Sequence, residues 1–232
     1  VLRTGKWYRL SIEEDGIHRI GYNELIEMGI NVDALDPAYI RLFGNGNGMV
    51  PEPNSTDRVD DLEEIPVHIS GEADGSFDQD DYILFYGQGP VEWRYSSFYK
   101  LYFHENNLYT DHTYYFLNLG TEEGKRIGEP QAFTGPITHE VSTYDINLAH
   151  EKDSVNIIKS GKEWYGEEFN TTLLHEFDFQ LPDIDTEVPV SMRINLAARS
   201  TANSFFTVYA EGGQVLNRSE EHTSELQSLL II

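Results

Sequence analysis

Apolar and polar positions alternate along much of this chain, with the period of two expected of half-buried strands. Tyr8, Leu10 and Ile12 fall on one side of the first run, and after Glu13-Glu14-Asp15-Gly16 the apolar pattern resumes over Ile17 to Ile20. Asp-Gly between two such runs predicts a hairpin. Tyr22 to Met28 breaks the period, with Leu25 and Met28 three apart and Gly29 behind them, which predicts one short helix over 22–28 ended by the glycine. Strands are predicted again at Tyr39 to Phe43, Ile65 to Ile69 and Tyr82 to Tyr86.

From Val91 to Leu119 aromatic residues crowd together, among them Trp93, Tyr95, Phe98, Tyr99, Tyr102, Phe103, Tyr114, Tyr115 and Phe116. Such density points first to half-buried sheet faces. A row of exposed rings that stacks sugars is the rival reading. Further on, Glu140 to Leu148, the alternating runs Phe177-Phe179-Leu181 and Val188 to Ala198, and Phe205 to Tyr209 predict short strands divided by turn residues. The expected fold is all-β and mainly antiparallel. Its two β-rich modules are residues 1–125 and a truncated, sandwich-like 137–217, joined by a Gly/Pro-marked linker at 126–136.

Residues Arg218 to Ile232, opening RSEEHTSELQS, read as a translated sequencing adapter, so 218–232 is set apart as a non-biological tail. Val1 is neither a start methionine nor the head of a signal peptide, and the native chain is expected to begin upstream.

Composition narrows the chemistry. Sixteen Lys+Arg against forty Asp+Glu leave a net charge of −24, which repels nucleic acid and anionic membrane surfaces. No apolar run approaches the roughly 20 residues of a membrane span. The chain has no cysteine, which excludes disulfides, thiolate metal sites and a thiol nucleophile. A serine nucleophile elbow of the GxSxG type is absent, and none of the eight histidines sits in an HExxH pair. The glycine loop Gly44-Asn45-Gly46-Asn47-Gly48 lacks the Lys-Ser/Thr of a phosphate cradle and is followed by Pro51 and Pro53, so it is read as a turn.

One constellation has metal-ligand spacing. Ser70, Glu72, Asp74, Gly75, Ser76, Asp78 and Asp81 fall on positions one, three, five, six, seven, nine and twelve of a calcium loop, with Phe77 at the apolar eighth. Glu72, Asp74, Ser76, Asp78 and Asp81 are therefore the candidate calcium ligands. Against this, Ser stands at position one, Asp replaces the longer Glu at twelve, and strands flank the loop. Plain turn capping by Asp and Ser side chains is the competing account.

Five phrases in order carry a family resemblance. They are Asp15-Gly16-Ile17-His18-Arg19-Ile20 with Tyr22-Asn23-Glu24-Leu25, Phe43-Gly44-Asn45-Gly46, Asp74-Gly75 to Gly87, Asn107 to Phe116, and Ser160 to Gly166. Together they resemble the N-terminal region of the gingipain-type cysteine peptidases of Bacteroidota that act as sortases of the type IX secretion system. The resemblance implies an exported protein of the cell surface or outer membrane. It also implies a caspase-like domain with a Cys nucleophile and a His beyond residue 217, and partners among that domain, secretion-system proteins and cargo. This stretch itself is then expected to be non-catalytic, a scaffold or docking region. The rivals are a carbohydrate-binding surface module, resting on the aromatic stretch, and a calcium-stabilised structural or adhesin domain, resting on the acidic loop.

Overall fold

A computed structural model describes residues 1–220 apart from Thr4, Phe133, Ile158, Ser160, Lys162, Thr201, Glu211 and Gly212. The chain divides into two units, Val1–Ser142 and Thr143 onward. Its sheets are antiparallel and helix is scarce, so the fold is all-β. Among the described residues no helix is long and apolar enough to cross a membrane.

In the first unit, β1 (Lys6–Ile12), β2 (Gly16–Gly21), β3 (Ile40–Phe43), β4 (Glu64–Ile65), β5 (His68–Ser70), β6 (Tyr82–Gly87), β7 (Glu92–Ser96), β8 (Leu101–Glu105) and β9 (Thr113–Leu119) follow in order. They form a four-stranded sheet β1-β9-β3-β4, a three-stranded sheet β2-β6-β5 and the separate pair β7-β8. Alternation decides which side chains turn inward: Leu10 and Ile12 from β1, Leu42 from β3, Ile83 and Phe85 from β6, and Tyr115 and Leu117 from β9 enter one apolar cluster. The opposite registers Leu10 with Tyr115, Leu42 with Leu117 and Ile20 with Ile83 set these pairs side by side.

The helix α1 (Tyr22–Glu27) lies where expected, buries Leu25, and ends at Gly29, whose φ of +80° suits a residue without a Cβ. The hairpin predicted at Asp15-Gly16 is not formed. β1 pairs with β9 and β2 with β6, so the turn carries the chain from one sheet to the other. Asp15 does not close a local turn; its carboxylate accepts the backbone N–H of Gly89 at 2.7 Å.

A short strap after β9 seals the unit. Gly124 donates to the carbonyl of Ala38, Val67 donates to Lys125, and Ile127 donates to Val67. Arg126 reaches under the strap to the carbonyls of Pro37, Ala38 and Ile40 at 2.7, 3.1 and 3.2 Å. The predicted linker thus opens on a residue tied into the first unit.

In the second unit β10 (Ser204–Ala210) and β11 (Gly213–Glu220) form a hairpin with a bulge at Val208/Tyr209. Val155 and Tyr165 exchange backbone hydrogen bonds of 2.8 Å, Ser154 donates to the carbonyl of Gly166, and Phe169 packs edge-on against Phe206 of β10. The expected runs 140–148, 177–181 and 188–198 carry no strand. Alternation makes a strand only where a neighbour closes the ladder. Pro189, inside the last run, has no N–H to give. Arg218 to Glu220 continue β11, while 221–232 lie outside the described residues.

Candidate functional site

Two features gather the polar chemistry of the first unit: the acidic loop before β6, and the joint between the glycine loop and the β7-β8 hairpin.

In the acidic loop, Gly71 and Gly75, at φ of +86° and +79°, bracket a single 3-10 turn, Glu72–Asp74. Ser76 donates both its N–H and its hydroxyl to Asp74 Oδ1 at 3.0 Å, and these bonds hold the Asp74 carboxyl below its ordinary value. The Ser76 hydroxyl also lies 3.3 Å from Asp78 Oδ2. Asp81 is buried and accepts the N–H of Asp78 at 2.7 Å, while Phe77 plugs the core beneath. A Cβ on Gly71 would fall 1.8 Å from Asp81 Oδ1. Glu72 turns to Arg126, whose Nε lies 2.9 and 2.8 Å from its two carboxylate oxygens.

The five residues proposed as calcium ligands thus share one loop but face different partners. Among the described residues, no group of three or more His, Cys, Asp or Glu side chains is placed to hold a metal ion. Their hydrogen bonds do turn chemistry, capping N–H groups and neutralising the strap arginine.

The glycine loop is a joint. Asn45 accepts the N–H of Glu63 at 3.0 Å and donates to the carbonyl of Asp61, which fixes the acidic segment 52–63. Two residues on, Asn47 donates to the carbonyl of Val91 at 2.9 Å, and Asn107 donates to that of Gly48 at 3.2 Å. Both strands of the hairpin are therefore pinned at their base. Close approach explains Gly44, where a Cβ would meet the Tyr115 ring at 2.3 Å. The Tyr115 hydroxyl accepts the N–H of Gln88 at 2.9 Å, and burial raises its pKa against that hydrogen bond.

Above the joint stands the hairpin. Its register sets Trp93 opposite His104 and Tyr95 opposite Tyr102, with ring centroids 4.9 and 5.1 Å apart. These four rings share one face. Arg94 lies on the other, 3.3 Å from both Glu92 and Glu105. Trp93, Tyr95 and Tyr102 are 38, 53 and 47% exposed, and none belongs to the core. The expectation that the aromatic stretch is half-buried sheet therefore holds for Tyr115 and Phe116 on β9 and for Phe103 on the hairpin, and fails for Trp93, Tyr95 and Tyr102. Glu92, Arg94 and Glu105 share the face opposite the rings, the same alternation that a half-buried pair of strands shows, so the sequence carried no signal for the exposure of Trp93, Tyr95 and Tyr102. Arg126 and the two joint asparagines had no signal either, since their partners are backbone groups remote in the chain.

No protein-family model matches the chain, and no curated protein matches it. Among solved structures, it is similar to a crystal structure of dimeric latent PorU from Porphyromonas gingivalis, with a TM-score of 0.64 and 22% identity. The likeness covers 95% of this chain and 20% of that one, so the chain spans about a fifth of the length of the protein it matches. At that identity the likeness is one of fold.

Proposed function

We propose that this chain is a non-catalytic β region of a gingipain-like cysteine endopeptidase. That enzyme processes type IX secretion cargo at the cell surface, and the region serves its peptidase domain as scaffold or docking surface. The observation that carries this reading is the fold likeness to PorU across nearly the whole chain. The ordered phrases from Asp15-Gly16 to Tyr165-Gly166 support it from the sequence side, although Ser160 and Lys162 of the last phrase lie outside the described residues.

The chemistry agrees. With no cysteine the chain has no thiol nucleophile of its own, and on this reading the Cys and His of the reaction lie in another part of the polypeptide. The first unit offers what a scaffold needs, a sealed core with polar joints at its rim. Export to the cell surface or outer membrane, and contact with secretion partners or cargo, belong to the same proposal.

Reading the source DNA onward from the codon for Asn217 tests it. The expected outcome is an open frame entering a domain with a histidine and a cysteine nucleophile. A frame that runs instead into further β modules without cysteine defeats the peptidase reading.

A further inference from the structure

The β7-β8 hairpin is a sheet of two strands, and among the described residues no strand pairs with the outer edge of either. Two strands alone are marginal in water. Each open edge presents ladder N–H and C=O groups that an extended chain can take up. The joint at Asn47 and Asn107 fixes the base of the hairpin, so its ring face has a defined position.

Elsewhere in this unit, three aromatic rings on the sheets are covered by arginine. Arg9 lies over Tyr114, Arg19 over Tyr82 and Arg41 over Phe43, each guanidinium 4.8 to 5.0 Å from the ring centre. The hairpin's own arginine, Arg94, is drawn to the opposite face by Glu92 and Glu105. Trp93, Tyr95 and Tyr102 therefore present π faces to solvent without the cationic cover given to Tyr114, Tyr82 and Phe43.

Charge points the same way. The segment held by Asn45 in the same joint carries Glu52, Asp57, Asp60, Asp61 and Glu63 against the single Arg58, within a chain of net charge −24. A cationic partner is drawn to this rim and an anionic one repelled. A sugar site converges several polar side chains beside its rings, whereas the hairpin strands set only His104 on this face, and Glu92, Arg94 and Glu105 are paired together behind it.

We propose that this hairpin is a docking site for an extended, lysine- and arginine-bearing segment of a partner protein. The segment adds to an open edge as a third strand and lays its cationic side chains over Trp93, Tyr95 and Tyr102. The acidic segment at the joint steers it in. The inference rests on the hairpin's geometry and is independent of the peptidase reading.

Calorimetric titration of the whole chain with a synthetic peptide alternating threonine with lysine and arginine tests this, with a glutamate-substituted peptide of equal length as control. The basic peptide is expected to bind, the acidic one not, and affinity to fall as salt screens the acidic segment. Replacing Tyr95 and Tyr102 by serine is expected to weaken binding about tenfold. Should circular dichroism show that variant unfolded, the Asp57→Asn/Asp60→Asn chain, whose hairpin is untouched, decides the matter by weaker binding and a flatter salt dependence. Equal affinity for both peptides, no binding of the basic one, unchanged affinity in the deciding variant, or a response to a glycan panel alone overturns the proposal.

Discussion

Arg126 holds Glu72 by its Nε, 2.9 and 2.8 Å from the two carboxylate oxygens, across fifty-four residues of chain. The same guanidinium donates to the carbonyls of Pro37, Ala38 and Ile40. Arg126→Ala removes a donor from three part-buried carbonyls, of which that of Ala38 keeps the Gly124 N–H and that of Pro37 the Ile40 N–H, and leaves Glu72 without its cation; it is expected to lower stability by about 1–3 kcal/mol in urea unfolding. Arg126→Lys, which lacks the planar fork, is expected to recover less than half of the loss.

The same pair bears on calcium. A cation in the acidic loop has to draw Glu72 from Arg126 and Asp81 from the Asp78 N–H. The expected outcome of thermal unfolding with calcium or with chelator is one unchanged melting temperature. A rise with calcium would mean that the loop rearranges into a site.

Gly44 offers a test of the joint. Its substitution by alanine drives a methyl group into the Tyr115 ring, which has no room to retreat because its hydroxyl accepts the Gln88 N–H. A loss of about 1–3 kcal/mol is expected from the overpacking. Asn47→Ala should behave differently, leaving the core intact while amide exchange quickens over Glu92–Ser96 and Leu101–Glu105.

Acid dependence centres on Glu64. Burial alone pushes its carboxyl up, but the hydrogen bonds from Arg41 and the Lys125 N–H outweigh it and hold the group below its ordinary value. Depressed in the folded state, it contributes stability that is present above the ordinary carboxylate range and lost as pH falls through the lower folded value. Glu64→Gln is expected to cost about 2 kcal/mol at neutral pH and to flatten the decline in stability as pH falls below the ordinary carboxylate range. Parallel urea titrations across that range check both.

Local chemistry made much of the first unit legible. The Leu25/Met28 spacing with Gly29 placed the helix, and the apolar stretches Tyr39 to Phe43 and Tyr82 to Tyr86 placed two strands that bury Leu42 and Phe85. What escaped depends on remote partners. Asp15-Gly16 has the chemistry of a hairpin, yet its strands answer to β9 and β6, and the carboxylate of Asp15 to Gly89. Glu72 and Asp81 share the spacing of a metal loop; the Asp78 N–H on Asp81 is the turn capping that the same spacing also allows, while Arg126 on Glu72 lies beyond any local pattern. In the aromatic stretch, residue type alone cannot tell a ring on β9 from one on a hairpin that no sheet covers.

The strand order β1-β9-β3-β4 has a consequence in time. Among the described residues β9 is the only neighbour of β1 and the inner neighbour of β3, yet it is the last of the four to leave the ribosome. Until residue 119 emerges, β1 and β3 lack the strand that joins them, and Leu10, Ile12 and Leu42 can close only on earlier members of the cluster such as Leu25, Ile83 and Phe85. Folding then waits on one long-range capture, which places this unit among slow, topology-limited β folders.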